Sequence, residues 1–353
     1  MMIVFKSDMV YQANMINKKT PVLLVTFFLA FLQMLTVVGA SEARDEEVIE
    51  YTGMCDASAA IAIDSSTFVV ANDEDNILRF YRHDGIEHGP IQSFDLGPFL
   101  NLDAKHPEAD IEAAAQIGNR IYWITSHARN KKGKRRSSRY KFFATQVDDL
   151  AGEVVVRFVG RPYEALVEDM IHAPSLHRFA LRQASGLAAK HYGSLNIEGL
   201  STAPNGALLI AFRSPVPDGK ALLITLKNPQ DLIIGKAARF GDAVLLPLHG
   251  LGIRAMAFMD HLNAYMIVAG AFDGRDAFKL FLWSGRSSDE PVLIKAIDLH
   301  GLHPETVVVY PHEKERVQIL SDDGMRRVAG GRCKDAAITA RRFRSMWITV
   351  KKR

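Results

Sequence analysis

Short apolar runs recur along the chain, parted by turn chemistry. Ala59-Ala-Ile-Ala-Ile63, Phe68-Val-Val-Ala71, Ile77-Leu-Arg-Phe-Tyr81 and Ile91-Gln-Ser-Phe94 follow one another. Between them lie Asp64-Ser-Ser66, Asn72-Asp-Glu-Asp-Asn76 and His83-Asp-Gly85. β-Branched and aromatic residues bounded by Asp, Asn, Ser and Gly mark strands joined by tight turns. This first set predicts a four-stranded antiparallel meander.

The same grammar returns down the chain. A second set is Glu112–Ile117, Arg120–Ser126, Tyr140–Val147 and Val154–Val159. A third is Glu198–Ala203, Ala207–Arg213, Lys220–Leu226 and Ala243–Leu246. A fourth is Arg254–Met259, Ala264–Ala269, Phe278–Trp283 and Val292–Ile297. The fifth, Glu305–Tyr310, Val317–Leu320 and Phe343–Val350, lacks a fourth strand, and Glu47-Val-Ile-Glu-Tyr51 near the N-terminus is its natural donor. Setting the innermost strands in register aligns Ser58, Glu112, Glu198, Arg254 and Glu305, spaced by 54, 86, 56 and 51 residues. A repeat of about 50 residues built from four strands predicts an all-β propeller of about five four-stranded blades. A sixth blade, hidden in the 86-residue interval, is the alternative.

That interval reads differently from the blades. Tyr163-Glu-Ala-Leu-Val-Glu-Asp-Met-Ile171 and Leu176-His-Arg-Phe-Ala-Leu-Arg-Gln-Ala184 space their apolar residues helically and are split by Pro174. Residues 162–192 are predicted as a helical insertion between blades two and three. Such an insertion either covers a binding surface or embellishes one blade.

The first 40 residues read as an export signal. Lys18 and Lys19 precede the apolar run from Pro21, which ends in the small-residue pattern Val38-Gly39-Ala40. Met15 is the more typical start, which makes residues 1–14 a mis-assigned extension. An uncleaved anchor helix is the alternative, and only then does a membrane enter the reading. Export predicts a periplasmic or secreted protein, with residues 41–353 as one propeller domain. The two cysteines, Cys55 and Cys333, then sit where disulfides persist. They either bridge the two ends of the mature chain or stand as separate buried thiols.

Apolar residues at 48% and charged residues at 24% are those of an ordinary globular protein. The formal charge is +3, of which residues 1–40 carry +2 (Lys6, Lys18 and Lys19 against Asp8). A body near neutrality excludes a dedicated, sequence-specific nucleic-acid binder. The chain lacks His-Glu-x-x-His, Cys-x-x-Cys, Gly-x-Ser-x-Gly and a phosphate-binding glycine loop. Zinc-protease, serine-hydrolase and nucleotide-binding classes lose their support.

Candidate chemistry gathers where the inner strands begin. Asp56/Ser58, Asp110/Glu112, Asn196/Glu198, Gly252/Arg254 and His303/Glu305 share one register. Glu112 and Glu198 are candidate acid–base residues, and Asp110, Glu112, Glu198 and Glu305 are candidate ligands for a hard cation such as Ca²⁺. The competing reading is a structural ring in which Arg254 neutralises its neighbours. Strand ends add Asp73-Glu-Asp75 and Asp322-Asp323, ordinary turn composition that also offers oxygen ligands. His127, Arg129, Arg213 and Arg254 are candidates for holding an anionic substrate. The loop Arg129–Arg139 carries seven cations and is either a polyanion contact or a solvated hairpin.

Several of these elements together carry a resemblance. Asp56-Ala-Ser-Ala59, Ala71-Asn-Asp-Glu-Asp-Asn76, Asp110-Ile-Glu-Ala113, Arg120-Ile-Tyr-Trp-Ile-Thr-Ser-His127, Asn130-Lys-Lys-Gly-Lys134, Asn196-Ile-Glu-Gly-Leu200 and Gly219-Lys-Ala-Leu222 resemble a family of bacterial exported propeller proteins of unknown function. The resemblance spans nearly the whole mature chain. Asn196-Ile-Glu-Gly-Leu200 alone is also similar to blade starts in phytase-like, esterase-like propellers. That shorter likeness implies a metal-assisted phosphoesterase, although the aspartate array at calcium spacing is absent. The expectation is a binding or scaffold module for an anionic small molecule or a partner protein, with the phosphoesterase as alternative.

Overall fold

The computed structural model describes residues 43–150, 153–295 and 297–351. The predicted export signal, residues 1–40 with Met15, lies outside the described residues. The first strand, β1 (Ala43–Thr52), joins the last blade. Blade one is β2 (Ala59–Ala62), β3 (Thr67–Ala71), β4 (Ile77–Arg82) and β5 (Gln92–Asp95). Blade two is β6 (Ile111–Ile117), β7 (Arg120–Thr125), β8 (Phe142–Leu150) and β9 (Glu153–Tyr163). Blade three is β10 (Asn196–Thr202), β11 (Leu208–Ser214), β12 (Ala221–Leu226) and β13 (Phe240–Leu246). Blade four is β14 (Gly252–Met259), β15 (Ala264–Gly270), β16 (Phe278–Trp283) and β17 (Val292–Ile294). Blade five is β18 (Pro304–Val308), β19 (Arg316–Ser321) and β22 (Arg342–Val350), completed by β1. A two-stranded hairpin, β20 (Arg327–Val328) and β21 (Gly331–Arg332), interrupts it.

The five sheets are four-stranded and antiparallel, so the chain is a five-bladed propeller and the sixth blade does not exist. Inner strands β2, β6, β10, β14 and β18 touch in that order, and β18 returns to β2. Pairing of β1 with β22 closes the ring with the N-terminal strand, as the missing strand predicted. Tyr51 lies opposite Phe343 in that pair, and their rings stack at 5.1 Å. Cys55 and Cys333 form a disulfide across 278 residues, pinning the start of blade one to the loop before β22.

The second strand of each blade shows why the apolar runs are continuous rather than alternating. Along Arg120-Ile-Tyr-Trp-Ile-Thr125, Ile121 and Trp123 enter the core shared with blade one, whereas Tyr122 and Ile124 enter the core shared with blade three. A sheet covered on both faces buries both side-chain sets. Each fully buried large side chain contributes about 1.5–3 kcal/mol.

The insertion follows β9. It forms a helix over Leu166–His172, a 3₁₀ turn over Pro174–Phe179 and a short helix over Leu181–Ala184. The second predicted helix is broken because Ala180 adopts a left-handed backbone, φ +50°. Leu166, Met170, Leu176 and Leu181 pack into the core between blades two and three. Among the described residues no helix is long and apolar enough to cross a membrane.

Candidate functional site

The four charged residues in register share one local device. In the ladder of β6 with β7, Ile111 faces Thr125 and Ala113 faces Ile124, so Glu112 is skipped. The same skip leaves out Glu198 between Ile197 and Gly199, Arg254 between Ile253 and Ala255, and Glu305 between Pro304 and Thr306. A β-bulge inserts one extra residue and re-aims its side chain. Here all four bulged side chains are buried in the ring's interior. Blade one is the exception. Its β2 starts after Ser58, whose Oγ accepts a hydrogen bond from the Asp73 amide at 3.0 Å.

Carboxylate oxygens of Glu112, Glu198 and Glu305 lie within 4.8 Å of one another. Glu198 is held tightly. Arg213 Nη1 and Asn196 Nδ2 both donate to its Oε1 at 2.7 Å, and Arg254 Nε stands 3.7 Å from its Oε2. Arg254 also donates to Glu305. Its alkyl stem occupies a groove left by Gly270, where a Cβ would lie 2.5 Å from Arg254 Cδ. Glu112 differs from both neighbours. Among the described residues no cation lies within ion-pair distance of it.

Burial, then the negative charges of Asp110, Glu198 and Glu305, push Glu112 well above the usual carboxylate range. Burial also raises Glu305 well above that range despite the opposing pull of Arg254. A buried carboxyl without a counter-cation keeps its proton. Three ionised glutamates and Asp322 would outnumber the two guanidinia, so protons or another cation complete the balance.

The three glutamates close one end of a central cavity of about 690 Å³. Its wall is built of small and apolar residues, among them Ala60, Ala113, Gly199, Ala255 and Val307, and it runs toward Asp260 and Lys314. The donor set is all oxygen, which suits hard cations. Glu198 Oε2 is buried without a hydrogen-bond partner, so the set retains unsatisfied acceptor capacity.

More carboxylates accompany the trio where the inner strands begin. Asp56 and Asp322 form an isolated backbone bridge, and their carboxyl groups meet in a hydrogen bond. Burial and the Asp322 contact push Asp56 up to about 11. Burial alone would raise Asp322 as well, but hydrogen bonds from Asp56 and the Gly324 amide, with the charge of Arg254, hold it at about 2. Burial carries Asp110 up to about 6 against the opposing charge of Arg139, whose Nη1 is 3.1 Å away. Asp110 thus stands beside the trio and pairs with Arg139.

The remaining predicted residues fall in two places. Arg213 and Arg254 join the glutamates. His127 and Arg129 do not. His127 is fully buried at φ +51°, with Nδ1 on the Thr125 carbonyl at 2.8 Å and Nε2 unpartnered. Burial pushes its imidazole down to about 4, so it is neutral at pH 7. Arg129 Nε donates to Ser185 O at 2.7 Å and Nη1 to Gly133 O at 3.0 Å, tying the basic loop to the insertion. In the acidic run, Asp75 pairs with Arg79 at 2.8 Å and Glu74 with Lys334 at 2.7 Å. Sequence reasoning missed Arg139 as the partner of Asp110, because it reads as one more cation of a basic loop.

Comparison with known proteins adds a family. The profile of the family described as "Protein of unknown function (DUF3616)" matches residues 56–161 and 159–316. No curated protein matches the chain. Among solved structures, Myxococcus xanthus glutaminyl cyclase is 12% identical at a TM-score of 0.44, covering 88% of this chain and 98% of the other. A Swd1 β-propeller domain from Myceliophteria thermophila is 10% identical at 0.38, covering 86% and 99%. Virginiamycin B lyase from Staphylococcus aureus is 9% identical at 0.34, covering 79% and 83%.

Proposed function

The chain belongs to the DUF3616 family of unknown function, and from its own channel we propose that it is a binding module whose ligand site is the central cavity closed by Glu112, Glu198 and Glu305. The group these carboxylates would hold is a hard cation such as Ca²⁺. One observation carries the reading. Three blades deliver carboxylate oxygens to within 4.8 Å of one another, and one of the three, Glu112, lacks a cation among the described residues. The disulfide supports an oxidising, extracytoplasmic setting.

Thermal unfolding with added Ca²⁺ tests this. A ligand that binds only the folded state stabilises it by about 2.7 kcal/mol at a hundredfold excess over Kd. The expected result is a Ca²⁺-dependent rise in Tm for the wild type that Glu112→Gln abolishes. The effect should strengthen from pH 5 to pH 8, because burial raises Glu112 and Glu305 and protons compete with the metal. A Tm indifferent to Ca²⁺, Mg²⁺ and Mn²⁺ at both pH values overturns the cation site.

A second reading, metal-assisted phosphoester hydrolysis, is favoured by the two guanidinia of Arg213 and Arg254 beside the same carboxylates. It predicts turnover of p-nitrophenyl phosphate that a chelator and Glu198→Gln each remove. Absence of turnover under every condition leaves binding as the role.

A further inference from the structure

We propose that the tail of the helical insertion and the loop after β15 form a separate subsite for a small oxyanion carried on a flat ring. Residues 188–194 fold back in two turns, His191 N on Ala188 O and Ser194 N on His191 O. They hold Lys190 in left-handed backbone at φ +65°. Gly274, at φ +84°, stands opposite. A Cβ there would lie 2.9 Å from Lys190 Nζ and 3.6 Å from Arg213 Nη2. Both cations therefore approach the same glycine, and its missing side chain is what lets Lys190 Nζ come in beside Arg213.

The two cations there are met by one carboxylate, Glu198, which pairs with Arg213. Arg213 spends Nη1 on Glu198 and Nε on Ala271 O, and among the described residues Nη2 has no hydrogen bond. Lys190 has no ion pair or hydrogen bond among the described residues. Of the carboxylates in the neighbouring loop, Asp273 is taken by Arg275 Nε at 2.8 Å and Asp276 is exposed to solvent. Burial, then the charges of Arg213, Lys131 and Arg254, holds the Lys190 ammonium below its usual range. An oxyanion between Lys190 and Arg213 relieves that repulsion.

Two residues beyond Lys190 and two before Gly274 lie Tyr192 and Phe272, with ring centroids 5.6 Å apart and edge to face. Tyr192 is 73% exposed. A bulky ring left in solvent close in sequence to Lys190, a cation with no ion pair among the described residues, fits a ligand with an aromatic body and an anionic head. The sequence held no marker for this subsite, since Lys190 and Tyr192 fall in a segment that reads only as the end of an insertion.

Calorimetric titration of the full mature chain at low salt with phenyl phosphate, benzoate and inorganic phosphate tests the proposal. Phenyl phosphate is expected to bind about 2–10-fold tighter than inorganic phosphate through its ring. Lys190→Asn, a side chain that tolerates left-handed backbone, should weaken phenyl phosphate about tenfold or more, while Lys190→Arg keeps the affinity. Tyr192→Ala should bring phenyl phosphate down to the level of inorganic phosphate. Arg239→Ala, at an exposed cation that pairs with Asp231, should change neither, which separates the subsite from a general loss of positive charge. Benzoate binding with the same Lys190 dependence would support the subsite with a carboxylate head. Lys190→Asn binding within about twofold of the wild type, or no saturable binding of any of the three anions, overturns the proposal.

Discussion

Blades two and three begin alike and are held apart by one amide and two guanidinia. Asp110-Ile-Glu112 and Asn196-Ile-Glu198 occupy the same position, and a β-bulge turns Glu112 and Glu198 into the same interior. Around Glu198 the neighbours are Asn196, Arg213 and Arg254. Around Glu112 they are Asp110, Glu198 and Glu305, all acidic. A repeat fixes where a side chain points. It does not fix what that side chain meets, because the partners come from other strands and other blades.

The sharpest way to break this comparison is to delete each glutamate in turn. Glu198→Ala leaves Arg213 buried without its carboxylate and removes one of the two charges facing Arg254. Breaking a buried pair by removing one partner costs about 3–5 kcal/mol. Glu112→Gln replaces a carboxyl that burial biases toward its protonated form with an uncharged side chain of the same shape, so at pH 7 it should cost nothing and leave the chain at least as stable as the wild type. Denaturant unfolding of both variants measures the gap. Equal losses would show that the two glutamates share one environment.

A smaller effect comes from making the two starts chemically identical. Asn196→Asp replaces a donor at 2.7 Å from Glu198 Oε1 with a second carboxylate. It removes one charge-assisted hydrogen bond and adds like-charge repulsion in a half-buried position, for about 1–3 kcal/mol. The loss should shrink at acid pH, where the new carboxyl takes up a proton. A variant as stable as the wild type at pH 8 would mean that Arg213 alone secures Glu198.

How much of this was legible in the chain follows from the same distinction. Local pattern announced the strands: Phe68-Val-Val-Ala71, Arg120–Thr125 and Ala264–Ala269 stand where their apolar runs stand. The incomplete fifth set announced that β1 would close the ring. Glu112, Glu198, Arg254 and Glu305 were recognisable as a register, since spacing along the chain reports repeats. The bulges that aim them were not, because a bulge is a mismatch between two strands and neither strand carries it alone. Arg254 was legible as the neutralising partner of its neighbours, but which glutamate each other partner meets was not. Arg213 ends a second strand, Asp322 follows another, and Lys190 belongs to an insertion, so each meets its site only through the closed ring. The second helix of the insertion was overcalled for a similar reason: Ala180 turns left-handed in a segment whose spacing alone is helical.

The finest probe of the two carboxylates at the start of blade two is the pH slope. Both Asp110 and Glu112 are raised by burial above their ordinary values, 3.8 and 4.5. The folded chain therefore binds a proton at each that the unfolded chain releases. The stability this contributes is complete below those ordinary values and is lost as pH rises through the folded values. For Asp110, with Arg139 beside it, the loss ends at about 6. For Glu112, with no cation beside it, the loss continues beyond that point. One proton of difference gives a slope of at most about 1.4 kcal/mol per pH unit. Stability measured by denaturant between pH 4 and pH 9 should thus separate two variants. Relative to the wild type, Asp110→Asn should gain up to pH 6 and then run parallel, whereas Glu112→Gln should keep gaining above pH 6. If both curves run parallel above pH 6, Glu112 is already ionised there, and a counter-cation sits beside it in solution.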